Sequence, residues 1–323
     1  MKRIGILTSG GDAPGMNACI RAVVRTAIFH GLEVAGIKKG YDGLIDGEII
    51  NLTTESVSNI IQRGGTILKT MRSKRFMTDE GIAQAHRNLN SHGIDGLIVI
   101  GGDGTFRGAL AFGEKFNYPI LGIPGTIDND LIGTDFTIGY DTAINTVVEA
   151  VDKIRDTAES HERLFIVEVM GRDAGLIALR SGIGIGAEGI LIPETRTDLN
   201  RLIERLEKSR RNKSSKIILV AEGDDAGGAY KVADAIKGHF GQNFDTRVTI
   251  LGHLQRGGSP TCMDRVLASR LGFSAVEALM QGKKSAMVGV VDKEVVFTPF
   301  SLATKHIQEL NPEMLRMAET LSL

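Results

Sequence analysis

Two carboxylates two residues apart follow a hydroxyl in Thr126-Ile127-Asp128-Asn129-Asp130. In an extended segment Asp128 and Asp130 share one side. Like charges that close need a cation or a proton between them. Phosphoryl transfer to an alcohol needs a carboxylate to accept the hydroxyl proton and a metal to offset phosphate charge. One aspartate as base and one near a metal meets both needs, and such a base contributes roughly 10²–10⁴ in rate. The alternative is an acidic surface turn after Pro124-Gly125.

Glycine loops supply the second half of that chemistry. Gly101-Gly102-Asp103-Gly104-Thr105 clears room for a polyphosphate. A lone carboxylate beside phosphates calls for a divalent cation, so Asp103 is a candidate Mg²⁺ ligand. Helix capping is the alternative for Asp103, a role Thr105 could equally fill. Gly10-Gly11 and Pro14-Gly15 precede a helix expected over Met16–Phe29. Backbone N–H groups and the helix N-terminus favour an anion there, although a plain turn would also use these glycines. No Gly-x₄-Gly-Lys-Ser/Thr sequence and no protein-kinase His-Arg-Asp or Asp-Phe-Gly signature occurs. Gly182-Ile183-Gly184-Ile185-Gly186-Ala187 matches a dinucleotide fingerprint only loosely.

Short apolar runs must position these loops. They cover Ile4–Leu7, Val34–Ile37, Leu97–Ile100, Pro119–Ile123, Leu164–Val169, Ile217–Val220, Val248–Leu251 and Met287–Val290. Such runs alternate with amphipathic segments, one of them expected over Phe106–Phe116. This pattern predicts βαβ units, so the class is α/β, doubly wound, with mostly parallel sheets. Polar motifs follow six of the runs, including Met170-Gly171-Arg172, Ala221-Glu222-Gly223-Asp224 and Gly252-His253-Leu254-Gln255-Arg256-Gly257-Gly258. Ligands of open parallel sheets bind beyond the carboxyl ends of the strands, which predicts a shared cleft or two facing clefts.

Composition narrows the classes. The 323 residues suit one large α/β unit or two domains. A formal net charge of −1 and the absence of Trp argue against a nucleic-acid binder. No apolar run approaches the ~18 residues that a membrane span needs, and the first residues lack a signal-peptide pattern. The expected location is cytoplasmic. Gly is abundant at 40 residues and clusters at the ends of apolar runs. Cys19 and Cys262 give neither a disulfide framework nor metal spacing.

Gly10–Asn17, Gly101–Thr105, Pro124–Asp130, Met170–Arg172 and Gly252–Pro260, in this order and spacing, resemble the bacterial ATP-dependent 6-phosphofructokinase family. The resemblance spans residue 1 to about 300. It implies phosphorylation of fructose 6-phosphate at the 1-hydroxyl by ATP with Mg²⁺, a committed step of glycolysis. It implies a homotetramer, with no nucleic-acid or membrane partner, whose active sites borrow residues from a neighbour. Two doubly wound domains follow, with the active site in the cleft between them. The expected ATP-binding domain is 1–138 plus 251–304; the fructose-6-phosphate-binding domain is 139–250 plus 305–323. By this resemblance Asp128 is the general base, acting with Thr126 and Arg172, and Asp103 serves the metal with Asp130 nearby. Gly11, Arg72, Ser73, Gly102, Asp103, Gly104 and Thr105 fall at the ATP site. Thr126, Ile127, Asp128, Met170, Gly171, Arg172, Glu222, His253, Leu254, Gln255 and Arg256 fall at the sugar-phosphate site. Arg163 and Arg247 match arginines that reach the 6-phosphate from the adjacent subunit.

Pyrophosphate-using relatives typically carry Asp and Lys where this chain has Gly104 and Gly125, so ATP is the expected donor. NAD kinases and lipid kinases share the Gly-Gly-Asp-Gly-Thr loop but lack Gly252–Pro260 and Met170–Arg172. A non-catalytic sugar-phosphate sensor would be expected to have lost Asp128.

The resemblance also places an effector site for ADP or phosphoenolpyruvate at a subunit interface. Its matching positions are Arg21, Ala22, Val23, Val24, Arg25, Arg155, Gly186, Ala187, Glu188, Arg211, Lys213, Ser214 and Ser215. Arg21 and Arg25 lie at i, i+4 and repel each other, which a bound anion or plain solvation would relieve. Thr54, Asn59, Ser214 and Ser215 replace residues the family commonly has as Arg, Asp, Lys and His. Lost positive charge predicts a weak allosteric response.

Overall fold

The computed structural model describes residues 1–161, 163–209, 216–241, 245–305 and 310–322. In chain order the first elements are β1 (Arg3–Thr8), α1 (Met16–Phe29), β2 (Glu33–Ile37), α2 (Gly40–Asp46), β3 (Ile49–Leu52), α3 (Asp79–Ser91), β4 (Gly96–Gly101), α4 (Asp103–Phe116) and β5 (Ile120–Pro124). There follow α5 (Tyr140–His161), β6 (Leu164–Val169), α6 (Leu176–Gly184), β7 (Gly189–Leu191), α7 (Leu199–Ser209), β8 (Lys216–Ala221), α8 (Ala229–Phe240) and β9 (Thr246–Ile250). The last are α9 (Cys262–Met280), β10 (Ala286–Val291), β11 (Glu294–Pro299) and α10 (Pro312–Leu321).

Two compact units share these elements: Met1–Thr142 with Arg256–His306, and Ala143–Gln255 with Ile307–Leu323. The first holds a seven-stranded sheet in the order β11-β10-β5-β4-β1-β2-β3. Its five inner strands run parallel; β3 and β11 close the edges antiparallel. β4 and β5 are buried at every position, as strands covered on both faces must be. β3 and β11 are half exposed, and their apolar runs stop after two and three residues, which is why the sequence pattern passes over them. One core of this unit is rich in aromatics, with Tyr41 stacked on Phe76 at 3.9 Å and Phe106 near Phe300 at 5.6 Å.

The second unit holds an all-parallel sheet in the order β7-β8-β6-β9. Its core joins β6 and β8 to α7 and α8 through Leu164, Ile166, Leu206, Ile218, Val220, Val232 and Ile236. Each sheet has a switch point, where successive connections leave in opposite directions. In the first it lies between β1 and β4; in the second, between β8 and β6, whose connections run to β9 and to β7. Ligand crevices of open α/β sheets form at such points.

The residues 182–187 are not a dinucleotide turn. Gly182 lies inside α6, where a Cβ would meet Ile190 at 2.5 Å, so this glycine serves helix–strand packing.

Candidate active site

The loops after β1 and β4 meet at the first switch point. Ser9 N–H donates to Ile100 O at 2.9 Å, and the Thr105 hydroxyl donates to Ser9 O at 3.2 Å. Gly101 must be glycine, because a Cβ would stand 2.2 Å from Thr105 Oγ1 and 2.5 Å from Ser9 O. The helix α4 starts at Asp103, not Phe106, so Asp103-Gly104-Thr105 is its first turn and Gly102 its extended cap. Early helix closure turns the glycine loop into a helix N-terminus, a natural anion seat. Thr105 is buried, and its hydroxyl ties the two loops together. Gly104 opens onto free space, with nothing within 4 Å of a built Cβ.

Arg256 reaches this same loop. Its Nη1 donates to Asp12 O at 3.2 Å and would stand 2.8 Å from a Cβ on Gly11. Arg72 is exposed, while the Ser73 hydroxyl donates to Asp42 and accepts from Phe76 N–H. Tyr41 belongs to this assembly although its sequence context carries no signal. Its buried hydroxyl donates to Thr105 O at 2.7 Å while its ring stacks on Phe76.

The segment after β5 folds into a closed loop beside the glycine loop after β4. Gly125 N–H donates to Gly101 O at 3.0 Å, and a Cβ on Gly102 would face Thr126 Cβ at 3.8 Å. The Thr137 hydroxyl donates to Thr126 O at 2.6 Å. Asn129 takes a left-handed φ of 53° and accepts from Thr137 N–H at 2.7 Å while donating to Asp135 O. Asp128 and Asp130 are both buried, so the acidic surface turn is excluded. Asp128 N–H donates to Thr126 Oγ1 at 3.2 Å, and Lys305 stands 3.8 Å from Asp130. Ile127 is fully buried, so its side chain packs in the core.

No group of three or more acidic, His or Cys side chains among the described residues could hold a metal by itself. Mg²⁺ takes one or two carboxylates and completes its shell with water and phosphate oxygens, and Asp103 fits that pattern. Its side chain is partly accessible and accepts from Arg107 at 2.6 Å across one helical turn.

In the second unit the loops after β6, β8 and β9 converge. Met170 N–H donates to the fully buried Gln255 Oε1 at 2.9 Å, so this carboxamide braces the turn from within. Arg172 has a left-handed φ of 53°, and its N–H donates to Glu222 Oε1 at 2.7 Å. Gly223 is obligatory there, since a Cβ would stand 2.0 Å from Arg172 O. Gly171 has a φ of 143°, and Met170 is buried. His253 and Leu254 are exposed on a short 3-10 turn, Gly252–Arg256. Glu194 supports this group unannounced by any motif. Its Oε1 accepts from Gly175 N–H at 2.7 Å, where α6 starts. Its Oε2 is buried with no hydrogen-bond partner among the described residues. Burial pushes the Glu194 carboxyl above the usual range, and the Gly175 hydrogen bond pulls it back.

Arg163 and Arg247 do not join these loops. Arg163 precedes β6 and Arg247 is near the start of β9, at the amino ends of strands whose carboxyl ends carry Met170 and Gly252. Both bind Asp245, at 2.6 Å and 3.0 Å. Arg163 first, then Arg247, holds the Asp245 carboxyl below its ordinary range.

At the expected effector positions, Val23 and Val24 are wholly buried in α1 and Ala22 nearly so, whereas Arg25 is exposed. Burial, then Arg25, lowers the Arg21 guanidinium below its usual value. Arg155 donates to Ile185 O, and Gly186 turns the chain with a φ of 62°. Ala187 is buried, and the buried Glu188 accepts from Ile217 N–H at 2.7 Å. Arg211, Lys213, Ser214 and Ser215 lie outside the described residues.

Comparison with known proteins accords with this arrangement. The family model described as Phosphofructokinase matches residues 3–279. The ATP-dependent 6-phosphofructokinase 2 of Bacteroides thetaiotaomicron is 55% identical over 324 residues, covering 100% of this chain and 99% of that one. The ATP-dependent 6-phosphofructokinase 1 of Thermus thermophilus is 57% identical, with 100% of both chains covered. The solved phosphofructokinase of Saccharomyces cerevisiae matches with a TM-score of 0.91 at 37% identity; 100% of this chain covers 48% of the yeast chain. This chain therefore belongs to the phosphofructokinase family.

Proposed function

We propose that this protein moves the γ-phosphoryl group of ATP onto the 1-hydroxyl of fructose 6-phosphate, giving fructose 1,6-bisphosphate and ADP in glycolysis. The full-length relatives bear this activity in their names. One observation carries the residue assignment: the closed loop bearing buried Asp128 is hydrogen-bonded to the glycine loop at the switch point. A base and a polyphosphate seat are thereby built on adjacent strands.

The first unit supplies the ATP-binding residues, the second most of the sugar-phosphate residues. Glycine-loop N–H groups and the first turn of α4 receive the phosphates. Asp128 accepts the proton of the 1-hydroxyl as its oxygen bonds to the γ-phosphorus. The bond from that phosphorus to the β–γ bridging oxygen breaks, and ADP leaves with the electron pair. Mg²⁺, when bound with ATP, offsets phosphate charge; Asp103 would hold it, with Asp130 nearby. Arg172 and Arg256 suit phosphate oxygens, which guanidinium groups grip in pairs. Glu222 and His253 suit sugar hydroxyls.

Arg163 and Arg247 would serve the 6-phosphate bound by a neighbouring copy. Their position at the opposite strand ends from Met170–Arg172 supports sites shared between copies, and the homotetramer comes from the family resemblance. No helix among the described residues is long and apolar enough to cross a membrane. The same reading puts the enzyme in the cytoplasm, beside its substrates.

Asp128→Asn tests the assignment. Steady-state kinetics should show kcat reduced by about 10² or more with both KM values nearly kept. A variant with undiminished kcat would remove Asp128 from the chemistry.

A further inference from the structure

Asp264 is a carboxylate only 1% exposed, and the reaction described above does not use it. It lies in the first turn of α9, three residues after the cap Thr261. In a capping box a carboxylate so placed turns back to the N–H of its own cap residue. Here it reaches a different helix. Oδ1 accepts from Gly139 N–H at 2.8 Å, and Oδ2 from Thr142 N–H at 2.8 Å and the Thr142 hydroxyl at 2.5 Å. The Thr142 hydroxyl accepts in turn from Thr261 N–H at 3.0 Å. The Thr261 hydroxyl donates to Asp141 at 2.6 Å and accepts from Asp264 N–H at 3.2 Å. First-turn N–H groups have no acceptor within their own helix, so α5 and α9 cap each other through this knot.

The knot stands at the foot of the base-bearing loop. Gly139 ends the segment that Thr137 and Asn129 close onto Thr126. A Cβ on Gly139 would meet Ala13 at 2.7 Å and Pro14 at 3.1 Å; one on Gly15 would meet Ile138 at 2.6 Å and Asp264 Cβ at 3.6 Å. The segment from Arg256 enters the knot directly through Thr261. Three stretches that carry the site thus converge on one carboxylate: 10–15, 126–139 and 256–261.

We propose that Asp264 and Thr142 are positioning residues that fix the Asp128 loop against the glycine loop. The proposal rests on Asp128 being the base. A misplacement of about 1 Å is enough to cost on the order of 10² in rate, so a loop that must hold a base needs a rigid foot.

Four variants test it, each measured for kcat, both KM values and melting temperature. Thr142→Val removes the hydroxyl at nearly constant shape; Thr142→Ser keeps it. Ile236→Val, in the core of the second unit, supplies a destabilised control. Asp128→Asn reports on the base itself. Expected are a roughly tenfold fall in kcat for Thr142→Val with KM values within about twofold, and near-normal kcat for Thr142→Ser. Ile236→Val should melt earlier at unchanged kcat. Wild-type kcat in Thr142→Val, or equal impairment of Thr142→Ser, would overturn the proposal while Asp128→Asn still failed. Activity retained in Asp128→Asn would instead overturn the reading beneath it. If Thr142→Val does not fold, Asp141→Ala carries the same expectation at the rim of the knot.

Discussion

At the scale of single residues, two glycines that look alike in the sequence do different things. Gly104 faces open space in the first turn of α4. An aspartate there would put a negative charge at the polyphosphate seat proposed above. Gly104→Asp should therefore raise the KM for ATP by at least about tenfold, as unscreened like charges at close range repel by over 1 kcal/mol. Coupled assays with ATP and with pyrophosphate check this; the wild type should use ATP alone, and comparable rates with both donors would refute the assignment. Gly125, by contrast, clears no room for a donor. Its Cβ position is filled by Ile100 at 2.8 Å and Met16 at 3.1 Å. The sequence makes Gly125 legible as a glycine in a motif, but only the packing says why. The spacing of two carboxylates and a hydroxyl marks 126–130 as a candidate segment, and its burial agrees with that; Asp128 is singled out as the base only by the family resemblance. Tyr41, Asp264 and Glu194 were not legible, since each acts through partners 19 to 125 residues away in the chain.

At the scale of elements, the strands with mostly apolar runs of four or more residues were legible to within a residue or two, because burial on both faces leaves most of them few polar positions. Three strands were missed for lack of that pattern: β3 and β11 at sheet edges, and β7, only three residues long. The start of α4 was also missed, because glycines read as loop although here Gly104 lies in the first turn of a helix. Glu194 shows how a loop can be tied to a helix start by one buried carboxyl. Its folded-state pKa stands above the unfolded value because of burial. The folded protein thus holds that proton more tightly, and this group's contribution to stability declines as pH rises from the ordinary glutamate range through the raised value. Glu194→Gln keeps the acceptor for Gly175 without the titration. Urea midpoints of the two proteins should diverge with rising pH in favour of the glutamine variant; parallel curves would show that Glu194 does not titrate abnormally.

At the scale of the molecule, the chain passes between its units after Thr142, after Gln255 and again after His306. None of these passages carries a composition change, so hydropathy alone could not locate them. If Arg163 and Arg247 serve a neighbour's site, Asp128→Asn subunits and Arg163→Ala/Arg247→Ala subunits should each be inactive alone yet regain part of the activity when unfolded and refolded together. Hybrids without activity would confine each site to one chain. The buried state of Glu188 and the thinned basic set around Arg21 and Arg25 lead us to expect nearly hyperbolic saturation by fructose 6-phosphate. A strongly sigmoidal curve shifted by ADP or phosphoenolpyruvate would refute that. Asp245 already pairs with both arginines. If they serve a sugar phosphate from another subunit, that anion would displace an incumbent one. Its capture would be an exchange of counter-ions and not a simple attraction, so the gain from each new contact would be the difference between two pairings. Exchange of this kind would favour a dianionic phosphate over a lone carboxylate and would let the arginines reject weaker anions without any steric gate.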